Sequence, residues 1–184
     1  MAKQTFMTAV FGAFISALAG IVTGEDEGKA LQIAEQWKDA ALGRRSTAAA
    51  LQEQADQCLQ LAAGLRTKDY LSTAERHRNF SKAGDEESRA GDFQEAASAN
   101  YEKESGNWQK AAQEYAAASC TNENEQALIM SAAADRKARM ALQKAVENYL
   151  LAAEAYGADG ACETEKARNA SEKADALNAQ SDAG

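Results

Sequence analysis

The sequence predicts an all-α protein made of packed helical hairpins, and three observations carry that expectation. Proline, the strongest helix breaker, does not occur in the 184 residues. Alanine, glutamate, glutamine and lysine dominate, and strand-type runs of valine, isoleucine and threonine are missing. Apolar residues recur three and four apart, the spacing of one helix face. The length suits one domain with its own core.

The formal net charge is −8. An acidic balance argues against binding a phosphate backbone, which needs clustered lysine and arginine. Arg44-Arg45 and Arg76-His77-Arg78 are the only dense basic spots, and they read as solvated helix faces. Three cysteines occur, Cys58, Cys120 and Cys162, none in a C-x-x-C pair, so no zinc site is expected. They read as small half-buried apolar residues, with a Cys120–Cys162 bridge open if their helices are neighbours.

The first element is a hydrophobic N-terminal helix over residues 1–24. From Thr5 to Gly24 the run carries no charge and ends at Glu25-Asp26-Glu27. Three readings stay open. Lys3 and Ala17-Leu18-Ala19 fit a cleaved secretory signal. Gly12, Ser16 and Gly20 fall on one face, as in a retained anchor or an assembly helix. A buried helix of a soluble core is the third. Phe6, Phe11, Phe14, Ile15, Leu18 and Ile21 are the candidate membrane or assembly contacts. Retention favours membrane association, whereas cleavage implies a secreted or periplasmic protein.

A helical domain over 25–179 follows. Helix 29–42 has the stripe Ala30, Ile33, Ala34, Trp37, Ala41 and is closed by Gly43, with Ser46 or Thr47 capping the next. Helix 47–65 places Ala48, Leu51, Ala55, Cys58, Ala62 and Leu65 in alternating three-four spacing, the heptad signature of lengthwise packing. Thr67 caps a third helix with Tyr70, Leu71, Ala74 and Phe80, ending near Gly84. A fourth, 85–105, contains Phe93, Ala96, Ala97 and Tyr101 and ends at Gly106. A fifth, 107–119, contains Trp108, Ala111, Ala112 and Tyr115. Thr121-Asn122-Glu123-Asn124 reads as a turn with capping chemistry. Helices over 123–139 and 141–156 follow, the latter with Leu142, Ala145, Val146, Tyr149, Ala152 and Ala153. A joint at 157–160 leads to a last helix, 161–179, with Ala167, Ala170, Ala174 and Leu177, and residues 180–184 form a frayed tail.

A shift of about 34 residues, the length of one helix–turn–helix unit of the tetratricopeptide kind, lays Trp108-Gln109-Lys110-Ala111-Ala112 on Leu142-Gln143-Lys144-Ala145-Val146. Tyr115 then falls on Tyr149, Ala118 on Ala152 and Ala133 on Ala167. The segments Ala90-Gly91-Asp92-Phe93-Gln94-Glu95-Ala96-Ala97 and Gly106-Asn107-Trp108-Gln109-Lys110-Ala111-Ala112-Gln113-Glu114-Tyr115 resemble tetratricopeptide repeats. Residues 101–118 are similar in style to the soluble attachment proteins of vesicle fusion. The resemblance covers 90–178 and lacks the proline usual between such repeats. It implies antiparallel hairpins stacked as a short solenoid. In the vesicle-fusion family such a stack grips a bundle of fusion helices, and a hydrophobic N-terminal loop touches the membrane.

No reactive constellation is legible. His77 is the single histidine, so neither a di-iron bundle nor a two-histidine zinc protease can be assembled. Phosphate-binding and nucleophile-elbow motifs do not occur. Asp85-Glu86-Glu87 and Glu123/Glu125 sit where helix N-termini are expected and favour the helix dipole. The expectation is therefore a non-enzymatic protein with no cofactor or metal, acting as an interaction scaffold or adaptor. Gln109, Gln113, Gln143 and Glu147 turn away from the packed stripes and are the candidate partner-facing residues. The alternative is a structural subunit of a membrane-associated or filamentous homo-oligomer, held through the N-terminal helix.

Overall fold

The computed structural model describes residues 24–69, 72–158 and 163–183. They form four α-helices, α1 (Gly24–Arg66), α2 (Thr73–Ala117), α3 (Thr121–Gly157) and α4 (Thr164–Ala183). No strand occurs among the described residues, so the fold is all-α. Each helix packs chiefly on its neighbour in sequence. The pairing is antiparallel: Ala34 and Ala41 near the start of α1 meet Trp108 and Tyr115 near the end of α2, and Ala55 and Cys58 meet Ala90.

The expected joints inside the helical domain are not there. Gly43 lies within α1, Gly84 and Gly106 within α2, and Met140 within α3. The expected helices 29–42 and 47–65 are one helix of 43 residues. The third, fourth and fifth are one of 45, and the sixth and seventh one of 37. A mid-helix glycine costs about 1 kcal/mol relative to alanine, too little to break a proline-free helix that is zipped along its length. The 34-residue register therefore does not mark a helix–turn–helix unit: Trp108 packs toward α1, whereas Leu142 packs toward α4.

What zips the helices is a heptad of small residues. Ala34, Ala41, Ala48, Ala55 and Ala62 follow one another at seven-residue spacing down α1 and are all buried. Gly84, Gly91, Ser98, Ser105 and Ala112 do the same on α2, and Ser131, Ala138, Ala145 and Ala152 on α3. A strict seven-residue period keeps a seam facing its neighbour and imposes a left-handed supercoil. The heptad read over 47–65 thus holds and runs further than expected. Alanine buries little area per residue, so cohesion comes from helix length and from tyrosine and tryptophan seated in the seams.

The turns differ from expectation in detail. Thr67 bonds back to the Ala63 carbonyl at the end of α1, and Ser72 caps α2 instead, accepting from Glu75 N at 3.3 Å. Between α2 and α3, Ser119 takes a left-handed φ of 60°, and Cys120 N donates to Tyr115 O at 2.8 Å. A single left-handed residue of this kind closes a helix as glycine usually does. Thr121 to Asn124 form the first turn of α3 rather than the turn between helices, and the Cys120 side chain at the N-cap does not cap α3 but donates back to the Ala118 carbonyl at 3.5 Å. α4 continues to Ala183, past the expected end at Ala179.

The N-terminal residues Phe6, Phe11, Phe14, Ile15, Leu18 and Ile21 lie outside the described residues, as do Tyr70, Leu71 and Cys162. Cys58 and Cys120 are free thiols. Among the described residues no helix is long and apolar enough to cross a membrane.

Candidate interaction surface

The face of α2 turned to α1 carries polar side chains inside the seam. Arg45 forks onto Glu104 Oε1, and Trp108 Nε1 donates to the same oxygen at 3.3 Å. Glu104 is wholly buried, and its other oxygen has no hydrogen-bond partner. At the far end Arg66 clamps Glu87 through two bonds of 2.8 and 2.9 Å, and also donates to the Leu151 carbonyl on α3 at 3.0 Å. Between them Tyr101 donates to Gln52. Tyr115 donates to Glu35, whose carboxyl is held below its usual range by bonds from Lys38 and Tyr115. Buried pairs of this kind fix helix register more surely than they add stability.

The opposite side of α2 carries a duplicated cluster. Tyr156 and Tyr149 on α3 lie against Gly84 and Gly91, where a Cβ would stand 2.6 and 2.7 Å from the respective rings. Only glycine admits the rings at that distance. Tyr156 OH donates to Asp85 at 2.9 Å, and Tyr149 OH to Asp92 at 2.7 Å. From α4, Lys166 reaches Asp85 and Lys173 reaches Asp92, and each ammonium lies over the matching ring, 5.3 and 4.5 Å from its centre. The unit of glycine, aspartate, tyrosine and lysine therefore occurs twice, one heptad apart. Burial pushes both tyrosines well above the usual phenol range, and the adjacent aspartates add to it. They are neutral structural donors at physiological pH.

The reactive side chain with the clearest environment is Cys58. It is buried beside α2, and burial raises its pKa, reinforced by the Glu86 carboxylate. A nucleophilic thiolate needs the opposite surroundings. Next to it lies a shallow, open depression of about 370 Å³ lined by Leu61, Leu65, Lys82, Asp85 and Glu86. Small-molecule sites bury most of their ligand, whereas this depression is open to solvent.

The outer surface of α3 is different in kind. Ile129, Met140 and Leu151 are 58%, 59% and 39% exposed. They stand three helical turns apart and so share one face. Leu150, at 49%, borders them. The expected partner-facing residues Gln109, Gln113, Gln143 and Glu147 are all exposed. Gln143 and Glu147 lie between Met140 and Leu151 on this same face. Gln109 and Gln113 do not join them. Ser105 faces Ser131 across the α2–α3 seam, which sets Gln109 level with Ala127 in the first third of α3, about 24 Å along the axis from Gln143. The apolar members of the face are not among the residues the sequence reading singles out, which places Met140 at a joint between two helices. Their spacing of three turns was the available signal.

Comparison with protein-family models, characterised proteins and solved structures finds no match for this chain.

Proposed function

We propose that the chain is a non-catalytic interaction scaffold, a short stack of antiparallel helical hairpins that presents the outer face of α3 to a protein partner. The exposed row Ile129, Met140 and Leu151 is the observation that carries this reading. Large apolar side chains repeated along one exposed face mark interaction sites more often than isolated ones do. Gln143 and Glu147 supply the polar positions within the row. Such a face suits an amphipathic helix laid alongside α3 with its own apolar residues spaced to match.

Replacing Ile129, Met140 and Leu151 by serine tests it. These side chains are partly exposed, so each change should cost less than the ~2–5 kcal/mol of truncating a core side chain. Proteins that cross-link to the intact chain in near-stoichiometric amount should be lost from the triple variant. Recovery of the same proteins in the same amount contradicts the reading.

The uncharged run from Thr5 to Gly24 favours a second reading, a structural subunit of a membrane-associated or homo-oligomeric assembly held through that segment. Sedimentation of the chain with and without residues 1–24 separates the two. A scaffold keeps its partner and its sedimentation state after truncation; a structural subunit loses its assembly.

A further inference from the structure

α4 is the least anchored of the four helices. It has 20 residues, against 37 to 45 for the others, and so the shortest seam with its neighbour. Ala170, Ala174 and Leu177 are its buried side chains among those described. Its ion pairs to Asp85 and Asp92 have both partners roughly half exposed, the kind that holds weakly and is screened by salt. What α4 covers is by contrast costly to leave open. Ala145, Tyr149, Ala152 and Tyr156 form a buried apolar strip on α3, with Ala145 and Tyr149 under the distal half of α4 and Ala152 and Tyr156 under the proximal half. Acidic groups line it: Asp85, Asp92 and Glu95 on α2. A weakly held helix over a strip that must stay covered is an exchangeable pair.

We propose that the α2–α3 groove is an exchangeable helix-binding site, and that its occupant in trans is α4 of a second copy of this chain. The evidence is the duplicated latch. Two lysines one heptad apart on α4 meet two aspartate–tyrosine pairs one heptad apart in the groove. An α4 from another copy presents the same lysines, alanines and leucine in the same register, so its interface is identical to the one described within the chain. Two copies that swap α4 fill both grooves and close as a symmetric pair. The site is separate from the outer face of α3 and does not rest on its role.

Charge reversal tests this in the full chain. One variant carries Lys166→Glu and Lys173→Glu; the other carries Asp85→Lys and Asp92→Lys. Each repels its own α4 from its own groove. Mixed, each groove is complementary to the other variant's α4. The expected result is a one-to-one heterodimer by light scattering after size exclusion, formed by the mixture and by neither variant alone. A mixture that stays monomeric overturns the proposal. Hydrogen exchange on the unaltered chain guards against a misfolded variant. Amides of α4 should exchange at least about tenfold faster than those of α2 and α3, and faster still as salt rises from about 0.1 M to about 1 M. Equal protection in all four helices, unmoved by salt, overturns it.

Discussion

At the residue scale the glycines of α2 divide by what stands over them. Gly84 and Gly91 are covered by the rings of Tyr156 and Tyr149, whereas Gly106 has open space where a Cβ would be. Gly91→Ala should therefore destabilise the protein by about 1–3 kcal/mol, because the ring is pinned by its bond to Asp92 and has nowhere to go. Gly106→Ala should stabilise by up to about 1 kcal/mol through helix propensity alone. Urea unfolding of the two variants gives opposite signs if the notches are real. Arg45 supplies a second case. Arg45→Met strands the buried Glu104 carboxylate and should cost about 3–5 kcal/mol, while Arg45→Met with Glu104→Leu should recover most of it. In the sequence Gly84 and Gly106 look alike, as helix ends. The difference lies in a tyrosine on another helix, which spacing along one helix does not reveal.

Elements show where sequence patterning is a sound guide and where it misleads. The buried stripe of 47–65 was legible because three-four spacing of apolar residues has one physical meaning, a helix packed lengthwise. The same heptad continues through Gly43, and on α2 it is carried by Gly84, Gly91, Ser98, Ser105 and Ala112. There the seam residues are small or polar, so a hydrophobicity pattern passes over them. Glu87, Gln94 and Glu104 are buried on α2 although their types belong on the surface. Breaking α2 at Gly84 and Gly106 followed from weighting local propensity above the summed contacts of a long seam. The seam makes its own prediction. Ala97 is fully buried between α1 and α3, and Ala97→Leu forces the helices apart. It should lower stability by about 1–3 kcal/mol in urea unfolding, whereas the same change at exposed Ala116 should be within about 0.5 kcal/mol of neutral.

For the whole molecule, the tyrosines tie the helices into one pH-sensitive unit. Tyr115 bridges α2 to α1, and Tyr149 and Tyr156 bridge α3 to α2. All three have pKa values raised above the usual phenol value by burial first, then by the carboxylate each one meets. A group whose folded pKa is raised contributes stability that is whole below the unfolded pKa and is lost as pH climbs. Stability should therefore fall above about pH 10, by about 1.4 kcal/mol per pH unit for each tyrosine. Tyrosinate absorbance from these residues should rise together with unfolding rather than before it. The charge of −8 and the all-α class were plain from composition. The assembly of four long helices was not, because the contacts that decide it join residues far apart in sequence.

The central structural claim is that α2 is one unbroken rod on which α1, α3 and both polar seams are mounted. Electron-spin distance measurement between labels at Ala74→Cys and Ala116→Cys, with Cys58, Cys120 and Cys162 replaced, addresses it directly. Both positions are exposed, and a continuous helix places them about 63 Å apart at 1.5 Å per residue. A single narrow distribution near that value is the predicted result. A distribution centred well below it, or split in two, would mean a break at Gly84 or Gly106 and would contradict the account.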